Sequence, residues 1–409
     1  MSGLVVSMVS EHASPLATLG TVDAGGQNVH VAALAGALAD LGHNVVVHTR
    51  RDRGDLPRFV PFRDGVTVHH VDAGPAEPIP KDDLFPYMDE FGDELAASWE
   101  ELRPDVVHSH FWMSGPAALR GARELGIPVA HTFHALGIVK RRHQGSADTS
   151  PPQRVRLETS IGREAARVIA TCRDEVQELA AMGLDPNRTS IVPCGVDTQL
   201  FTPGPSAPRS RPRLLIVGRL VPRKGTDTAL AALSQLPDAE LVVVGGPPAE
   251  LLAADDEAGR LASVAAELGV SDRFRMLGAV SREEMPNALR SADIVLCPAR
   301  YEPFGIVPLE AMACGVPVVA SAVGGHLDSV VDRRTGRLVP VGDADALAVA
   351  VKEILDTPGA AAAMGRAGRR RVLANFGWDR VAERTAEVYQ ELETRRPSAL
   401  AATAEGGRS

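Results

Sequence analysis

Apolar runs of strand length alternate along this chain with longer segments of helical periodicity. In the first such unit, Leu4–Val9 predicts a strand, a helical pattern extends from about Gln27 to Leu41, and Asn44–Thr49 predicts the next strand. A strand, a helix and a strand in this order form a βαβ unit, which implies a parallel sheet flanked by helices. The sequence therefore predicts an α/β fold of doubly wound type, with ligands bound beyond the carboxyl ends of the strands.

The same alternation recurs in the second half of the chain. A length of 409 residues exceeds what one hydrophobic core usually organises, so two domains are expected. A stretch rich in proline, glycine and serine, from Cys194 to Arg211, predicts a linker, and Leu214–Gly218 opens a second series of strands. Further strands are predicted at residues 105–110, 128–134, 168–172, 190–193, 240–245, 274–277, 294–296 and 318–320. The predicted parts are domains over 1–200 and 201–375, an amphipathic helix over 376–395 and a disordered tail over 396–409.

Composition and charge exclude several classes of protein. The net charge of −9 gives no support for nucleic-acid binding, so any phosphate site must be a local basic cluster. No run approaches the roughly 18 to 20 apolar residues that span a bilayer, and the N-terminus lacks the basic start of a secretory signal. The four cysteines have no metal-ligand spacing, which favours free thiols in a reducing compartment. We therefore predict a cytoplasmic protein without a transmembrane segment.

Two carboxylates lie at the two ends of a turn within residues 301–317. Glu302 precedes the turn, and Glu310 is expected in the first turn of a short helix over Leu309–Cys314. Carboxylates accept hydrogen bonds from vicinal hydroxyls, and free backbone amides at a helix start bind phosphate. This arrangement suits a polyhydroxyl ligand that carries phosphate. Taken alone, it also fits a solvated glutamate and a second one that complements the helix dipole.

A basic pair follows the first strand of the second half. Arg219 stands at the end of that strand, and Lys224 lies five residues later beside a glycine at a helix start. Such cations at the ligand edge of a sheet can stabilise the charge of a departing diphosphate. Near the N-terminus, Gly25 and Gly26 directly precede a helix, but they do not form the GxGxxG fingerprint of dinucleotide-binding oxidoreductases. No cluster of carboxylates in the sequence requires a bound metal ion.

These motifs together resemble those of the family 4 retaining glycosyltransferases, which have the GT-B fold of two Rossmann-like domains facing a central cleft. Glu302 and Glu310 match the family's E-x7-E signature, and Arg219 with Lys224 matches its Gly-Arg-Leu motif followed by Lys-Gly. The resemblance covers nearly the whole chain. It implies that the first domain binds an acceptor, that the second binds a nucleotide-sugar donor, and that the C-terminal helix crosses back to the first domain.

Two smaller groups within this family share further motifs with the chain. The Gly-Gly-Gln loop and the Pro-Lys-Asp-Asp-Leu-Phe-Pro-Tyr segment at Lys81 resemble sucrose-phosphate synthases. The Gly-Gly-x-Asn-Val pattern and the Ser-His-x-Trp-x-Ser-Gly pattern at Ser109–Gly115 resemble mycothiol-pathway glycosyltransferases, which use inositol phosphate. Phe111 and Ala135, however, stand where the second group carries Tyr and Thr. The identity of the acceptor therefore stays open.

The resemblance implies roles for individual residues. The implied catalytic residues are His134, Arg219, Lys224 and Glu302. The implied donor-binding residues are Gly26, Met276, Leu277, Phe304, Gly305, Ile306 and Glu310. The implied acceptor-binding residues are Gln27, Asn28, Lys81, Lys140 and Arg156. Glu302 would bind hydroxyls of the donor sugar, Glu310 would bind the ribose, and His134 would contact the sugar near its 6-position.

The expected activity is transfer of a hexose, with retention, from a nucleoside diphosphate sugar to a hydroxyl of a small polar, phosphorylated or unphosphorylated, acceptor. A UDP-sugar is the first expectation and a GDP-sugar the second. No cofactor is expected to be required, although Mg²⁺ could stimulate the reaction. The alternatives are a GT-B phosphorylase that uses a sugar phosphate and a nucleotide-sugar-binding protein without turnover. The sequence leaves a homodimer open.

Overall fold

The chain forms two compact units in a computed structural model that describes residues 3–16, 26–145, 148–205 and 209–394. The first unit comprises the described residues of Met1–Thr171, Glu175–Val192 and Val381–Ser409, and the second comprises those of Cys172–Asp174 and Pro193–Arg380. Gly25 and the tail predicted to be disordered, 396–409, lie outside the described residues.

The first unit is built on an eight-stranded sheet. Its strands are β1 (Val5–Val9), β2 (Asn44–Arg50), β3 (Phe59–Arg63), β4 (Val66–Val71), β5 (Val106–His110), β6 (Val129–Thr132), β7 (Arg167–Ala170) and β8 (Thr189–Ile191). The spatial order is β3-β4-β2-β1-β5-β6-β7-β8, with only β3 and β4 antiparallel among these pairs. Because β1 pairs with both β2 and β5, the strand order reverses there, and a ligand crevice is expected at the carboxyl ends of β1 and β5.

Helices flank this sheet and connect its strands. They are α1 (Gly26–Asp40), α2 (Met88–Leu102), α3 (Ser114–Arg123), α4 (Gly137–Gln144), α5 (Arg154–Glu164) and α6 (Arg173–Ala181). Trp99 of α2 is fully buried, and its indole Nε1 donates to the Ser7 hydroxyl of β1 at 2.7 Å. This bond satisfies the polar atom of a large core side chain.

The second unit contains a six-stranded parallel sheet. Its strands are β9 (Arg213–Val217), β10 (Glu240–Val244), β11 (Phe274–Met276), β12 (Ile294–Cys297), β13 (Val318–Ser321) and β14 (Gly336–Val339), in the order β11-β10-β9-β12-β13-β14. Its helices are α7 (Thr226–Leu233), α8 (Asp256–Glu267), α9 (Met285–Arg290), α10 (Ile306–Ala313), α11 (His326–Ser329), α12 (Ala344–Asp356) and α13 (Ala360–Asn375). The order reverses at β9, between β10 and β12. The predicted doubly wound α/β fold is thus confirmed.

Three strands were not predicted from the sequence. β3 is an edge strand that contains Pro61, and its residues alternate between exposed and half-buried positions. β4 ends in a polar His-His pair, and β14 is only four residues long and begins at a glycine. Each of these strands lacks the continuous apolar run that marks a buried parallel strand. The predicted strands, by contrast, are observed with ends shifted by three residues or fewer.

The prediction of an unpacked linker at Cys194–Arg211 was wrong for its first part. Val196 and Phe201 are 1% and 0% exposed and belong to a hydrophobic core of the second unit. Val196 also pairs with Gly377, and a side chain at Gly195 would collide with the indole of Trp378. The glycines and prolines here shape a tightly packed segment, which composition alone does not distinguish from a linker.

The C-terminal helix, α14 (Trp378–Thr394), buries the face that the sequence predicts, including Val381, Val388 and Leu392. Its Tyr389 is fully buried, and the hydroxyl lies 2.6 Å from Nδ1 of His108 on β5. The carboxylate of Glu391 lies 2.9 Å from the guanidinium of Arg167 on β7. From Val381 onward, this helix is therefore part of the first unit.

We expect Tyr389→Phe to lower the free energy of unfolding by about 1 to 3 kcal/mol, because it leaves Nδ1 of His108 buried without this partner. Urea unfolding followed by circular dichroism measures the change. The control is Ser234→Ala, which removes an exposed hydroxyl bonded to the Ala231 carbonyl. That variant should stay within about 0.5 kcal/mol of the native protein. Equal losses in the two variants would contradict a special contribution from the buried pair.

Candidate active site

In the second unit, the predicted basic residues lie at the carboxyl end of β9, against the predicted carboxylate. Nζ of Lys224 is 2.5 Å from Oε2 of Glu302, and Nη1 of Arg223 is 3.8 Å from the same oxygen. Lys224 ends a 3₁₀ turn, and Gly225 then adopts φ +71°. A side chain at Gly225 would collide with the Pro298 carbonyl, so the close approach of this loop to β12 requires glycine.

Neighbouring positive charges keep the Glu302 carboxylate ionised. Burial alone would raise the pKa of Glu302, but Lys224 and Arg223 outweigh it and hold that pKa below its usual value. The pKa of Arg219 is lowered by burial and by Arg223, and Glu302 partly offsets this effect. The arrangement places three cations around one carboxylate, which leaves a net positive charge for an anionic ligand.

The helix after the turn begins earlier than the sequence predicts. α10 spans Ile306–Ala313, so Glu310 lies in its second turn and not in its first. Gly305 adopts φ +76° and allows the chain to enter the helix at residue 306. Pro308 is tolerated because the amides of the first helical turn have no partner within the helix. Phe304 is buried, and Gly305 with Ile306 lines a cavity of about 60 Å³ next to Lys224 and Glu302.

A histidine that the sequence analysis did not select completes this cavity. His326 is 1% exposed, and its Nδ1 donates to the Ser321 carbonyl at 3.0 Å, which leaves Nε2 without a proton. Burial lowers the pKa of His326, although Glu302 partly opposes this effect. The amide of Gly325 donates to the Glu302 carbonyl at 3.2 Å. The position of His326 directly after a Gly-Gly turn was a signal in the sequence that could have identified it.

Glu310 has a different environment from Glu302. It is 6% exposed, and its nearest cation is Arg282, at 3.8 Å. Burial raises the pKa of Glu310 to about 7, with Arg282 opposing the shift. Met276 is half-buried at the end of β11, two strands from β9, and Leu277 is 46% exposed just beyond it. The predicted donor-binding residues of this unit therefore follow the carboxyl ends of its strands.

We expect stability to fall as the pH rises from about 4.5 to about 7 on account of Glu310, because the folded state holds this proton more tightly than the unfolded chain. A difference of one pKa unit corresponds to about 1.4 kcal/mol, so the loss at pH 8 is on the order of 3 kcal/mol. Glu310→Gln should remove this decline, as measured by urea unfolding at pH 5 and pH 8. The exposed Glu267→Gln is the control and should follow the native protein. Identical pH profiles for all three would contradict the shift.

In the first unit, the predicted acceptor residues Gln27 and Asn28 lie near the end of β1. Nε2 of Gln27 donates to the Ser10 hydroxyl at 3.1 Å, and Nδ2 of Asn28 donates to the Ser14 carbonyl at 3.1 Å. Gly26 begins α1, and a side chain there would meet no described atom within 4 Å. A cavity of about 710 Å³ is lined by residues that include Asn28 and Lys81. It is large enough for a small polar molecule.

Lys81 and Arg154 lie near the same aromatic ring. The Lys81 ammonium is 5.6 Å and the Arg154 guanidinium 5.1 Å from the centroid of Phe111. Arg154 is 4% exposed and pairs with Glu158 at 2.8 Å. Its Nη1 also donates to the Ser150 hydroxyl at 3.1 Å.

The other two predicted acceptor cations differ in their surroundings. Nζ of Lys140 is 2.9 Å from Asp148 and 3.0 Å from the Ser150 hydroxyl, which Arg154 also contacts. Arg156 is exposed on α5. Arg154, which the sequence analysis did not select, occupies the buried face of the same helix.

His134 follows β6 in a left-handed conformation, with φ +60°. Its Nε2 lies 3.1 Å from Nδ1 of His110, the last residue of β5. Burial, followed by the charges of neighbouring histidines, lowers the pKa of His134 well below its usual value. The ring is therefore neutral at physiological pH and can accept or donate a hydrogen bond.

Two family models match consecutive parts of the chain. The model "Glycosyltransferase Family 4" matches residues 24–200, and "Glycosyl transferases group 1" matches residues 201–371. The D-inositol 3-phosphate glycosyltransferase of Kineococcus radiotolerans is 38% identical over 94% of both chains. That of Streptomyces scabiei is also 38% identical, over 94% of this chain and 90% of the relative. The chain belongs to glycosyltransferase family 4. It is an enzyme of the glycosyltransferase class, as its motifs indicate.

Comparison with solved structures shows the fold of this glycosyltransferase. A sucrose-phosphate synthase from Thermosynechococcus elongatus is 32% identical, with a TM-score of 0.85 over 96% of this chain and 99% of the other. An Anabaena protein solved with UDP and glucose has a TM-score of 0.72 at 18% identity, over 95% of this chain and all of its own, which shows the fold alone. The family 4 enzyme thus has the predicted GT-B fold. Among its described residues, no helix is long and apolar enough to cross a membrane.

Proposed function

We propose that this enzyme transfers a hexose, with retention, from a nucleoside diphosphate sugar to a hydroxyl of a small phosphorylated acceptor. The observation that carries the proposal is the cluster of Arg219, Arg223 and Lys224 around the Glu302 carboxylate in the second unit. A departing nucleoside diphosphate has two to three negative charges, which three preorganised cations stabilise as the glycosidic bond breaks. UDP is the first candidate for the nucleotide and GDP the second.

Retention in this proposal needs no protein nucleophile. The Glu302 carboxylate is held by Lys224 at 2.5 Å, so it is a poor nucleophile and a good acceptor for sugar hydroxyls. The acceptor would attack the face that the diphosphate leaves, and a leaving phosphate oxygen would take its proton. His134 would contact the sugar, and Glu310 would bind the ribose hydroxyls. Because Glu310 has a pKa of about 7, it can also donate a hydrogen bond near neutral pH.

The acceptor in this proposal is phosphorylated because two cations, Lys81 and Arg154, lie near one ring in the first unit. Lys140 adds a third cation beside Ser150. The relatives from Kineococcus and Streptomyces are named for D-inositol 3-phosphate, and the structural neighbour from Thermosynechococcus for sucrose phosphate. A phosphorylated polyol or sugar is the chemical class that these names share, which supports a phosphorylated acceptor.

The test is nucleotide release from UDP-glucose, UDP-galactose and GDP-mannose with matched pairs of acceptors. The pairs are inositol 3-phosphate with inositol and fructose 6-phosphate with fructose. Glucose 1-phosphate, offered as the donor with the same acceptors, is a separate arm. We expect kcat/KM at least about 30-fold higher for one phosphorylated member, a typical gain from a charge-assisted contact. Equal turnover within each pair would overturn the phosphorylated acceptor. Release of inorganic phosphate from glucose 1-phosphate, with no turnover of any nucleotide sugar, would indicate a phosphorylase. The anomeric coupling constant of the product by NMR tests retention.

We also expect turnover to persist after chelation of divalent cations. The three cations around Glu302 supply the positive charge that a metal ion would otherwise bring to the diphosphate. Initial rates in excess EDTA should stay within about threefold of those with Mg²⁺, with the same buffer at matched ionic strength as the control. Abolished turnover in EDTA, restored by Mg²⁺, would show that these side chains are insufficient.

A further inference from the structure

Three histidines from different elements of the first unit converge near the carboxyl ends of its strands. His30 lies on α1, His110 ends β5, and His134 follows β6. One ring nitrogen of each lies within 4.8 Å of those of the other two. The ring centroids of His30 and His134 are 4.9 Å apart, and those of His110 and His134 are 5.3 Å apart. The proposed transfer reaction uses His134 but neither of the other two.

All three rings are neutral at physiological pH. Burial lowers the pKa of His30 to about 4. Burial and then the neighbouring histidines lower the pKa values of His110 and His134 well below the usual value. A neutral imidazole has an unprotonated nitrogen, which is the form that binds a metal ion. Imidazole ligands suit Zn²⁺, Co²⁺, Ni²⁺ and Cu²⁺, whereas Mg²⁺ and Ca²⁺ prefer oxygen ligands.

The histidine at the end of β5 has a buried ring nitrogen that makes no hydrogen bond to the described residues. His110 is 0% exposed, and its Nε2 has no hydrogen-bond partner within the described parts of the chain. A buried polar atom in this condition is costly and is rare in folded proteins. Four-coordinate Zn²⁺ binds histidine nitrogen at about 2.0 to 2.1 Å, which places two such nitrogens about 3.3 Å apart. The ring nitrogens of the cluster are at most 4.8 Å apart. Side-chain rotations that shorten this separation by about 1.5 Å would therefore create a three-histidine site.

We propose that His30, His110 and His134 bind one divalent transition-metal ion of the Zn²⁺ type. His134 is half-buried, whereas His30 and His110 are buried. A bound ion occupies a ring nitrogen of the histidine that contacts the sugar in the proposed reaction. Zn²⁺ therefore inhibits transfer at this site. The inhibition rests on the proposed function, whereas metal binding does not.

The experiment is a Co²⁺ titration of the purified full-length protein, followed by visible absorption and by competition with Zn²⁺. We expect one Co²⁺ per chain with a tetrahedral-type spectrum, displaced by Zn²⁺ and not by a 100-fold excess of Mg²⁺. His134→Asn should weaken Co²⁺ binding at least about 100-fold. Removing a residue that hydrogen-bonds a metal ligand lowers metal affinity by up to about 100-fold, and removing the ligand itself should lower it at least as much. Asparagine tolerates the positive φ at this position, so this variant is suited to fold. His110→Asn is the second variant and should show the same loss.

The matched control is His131→Asn, since His131 is also fully buried, on β6, but lies outside the cluster. It should keep native Co²⁺ affinity. Absence of Co²⁺ binding by the native protein, or native affinity in the His134→Asn variant, would overturn the proposal. Zn²⁺ inhibition should disappear together with Co²⁺ binding. Co²⁺ binding without any glycosyl transfer would overturn only the proposed function, and transfer without Co²⁺ binding would overturn only the metal site.

Discussion

Lys224→Ala is expected to lower kcat/KM for glycosyl transfer by more than about 100-fold, the size of one strong transition-state charge contact. The Lys224 side chain is 17% exposed and contacts the Glu302 carboxylate at 2.5 Å. In the proposed reaction its charge also stabilises the leaving diphosphate, whose negative charge increases as the bond breaks. The loss should therefore fall mainly on kcat, as measured by initial rates of nucleotide release over a range of donor concentrations.

The matched control for this variant is Lys352→Ala. Lys352 also pairs with a carboxylate, Asp356 at 2.6 Å, but both side chains are more than half exposed. This variant should keep native kinetics, because exposed ion pairs contribute little. Circular dichroism checks that both variants are folded. Near-native kcat/KM in folded Lys224→Ala would remove Lys224 from the active site.

Gly305→Ala is the second variant with a large expected effect, a loss of at least about 100-fold in kcat/KM. Gly305 has φ +76°, and an added Cβ would lie 2.6 Å from Cδ2 of His326 and 3.3 Å from Cγ of Glu302. The first distance is too short for any real contact, so the helix start or one of these side chains must move. Such a movement displaces the groups that line the small cavity beside Lys224.

Gly269→Ala distinguishes the effect of this steric contact from the effect of backbone strain alone. Gly269 also adopts a positive φ, +66°, but a Cβ there would meet no described atom within 4 Å. Both variants carry the cost of a left-handed alanine, about 1 to 2 kcal/mol. Only the Gly305 variant should lose activity, while both should show a lower melting temperature. Equal activity in the two variants would show that contact with His326 and Glu302 does not control turnover.

Much of the fold could be predicted because its parallel strands are buried on both faces. Such strands are continuous apolar runs, and α14 shows its buried face in the spacing of Val381, Val388 and Leu392. The edge strand β3 lacks this signal because its side chains are at best half-buried. The packed segment around Phe201 was missed for a related reason, since its glycines and prolines conceal a core residue.

The candidate site could be predicted where a local motif marks each residue, as Gly225 does for Lys224 and the E-x7-E spacing does for Glu302. It could not be predicted where tertiary packing decides. Arg154 and Glu158 have the i,i+4 spacing typical of an exposed helix face, yet they are 4% and 0% exposed in their side chains. Only the packing of Arg154 against Phe111 reveals its burial.

The buried histidines of the first unit have a consequence for acid resistance. Eight of the twelve histidines in the chain lie in this unit and have pKa values below 6.5, chiefly because of burial. Unfolding lets these rings take up protons, so the first unit loses stability as the pH falls from about 6.5 toward 4. Glu310 gives the second unit the opposite response over much of the same interval. Acid therefore lowers the stability of the first unit through its histidines, whereas it raises the stability of the second unit through Glu310. Because one covalent chain joins the two units, mild acidification should unfold the first unit before the second.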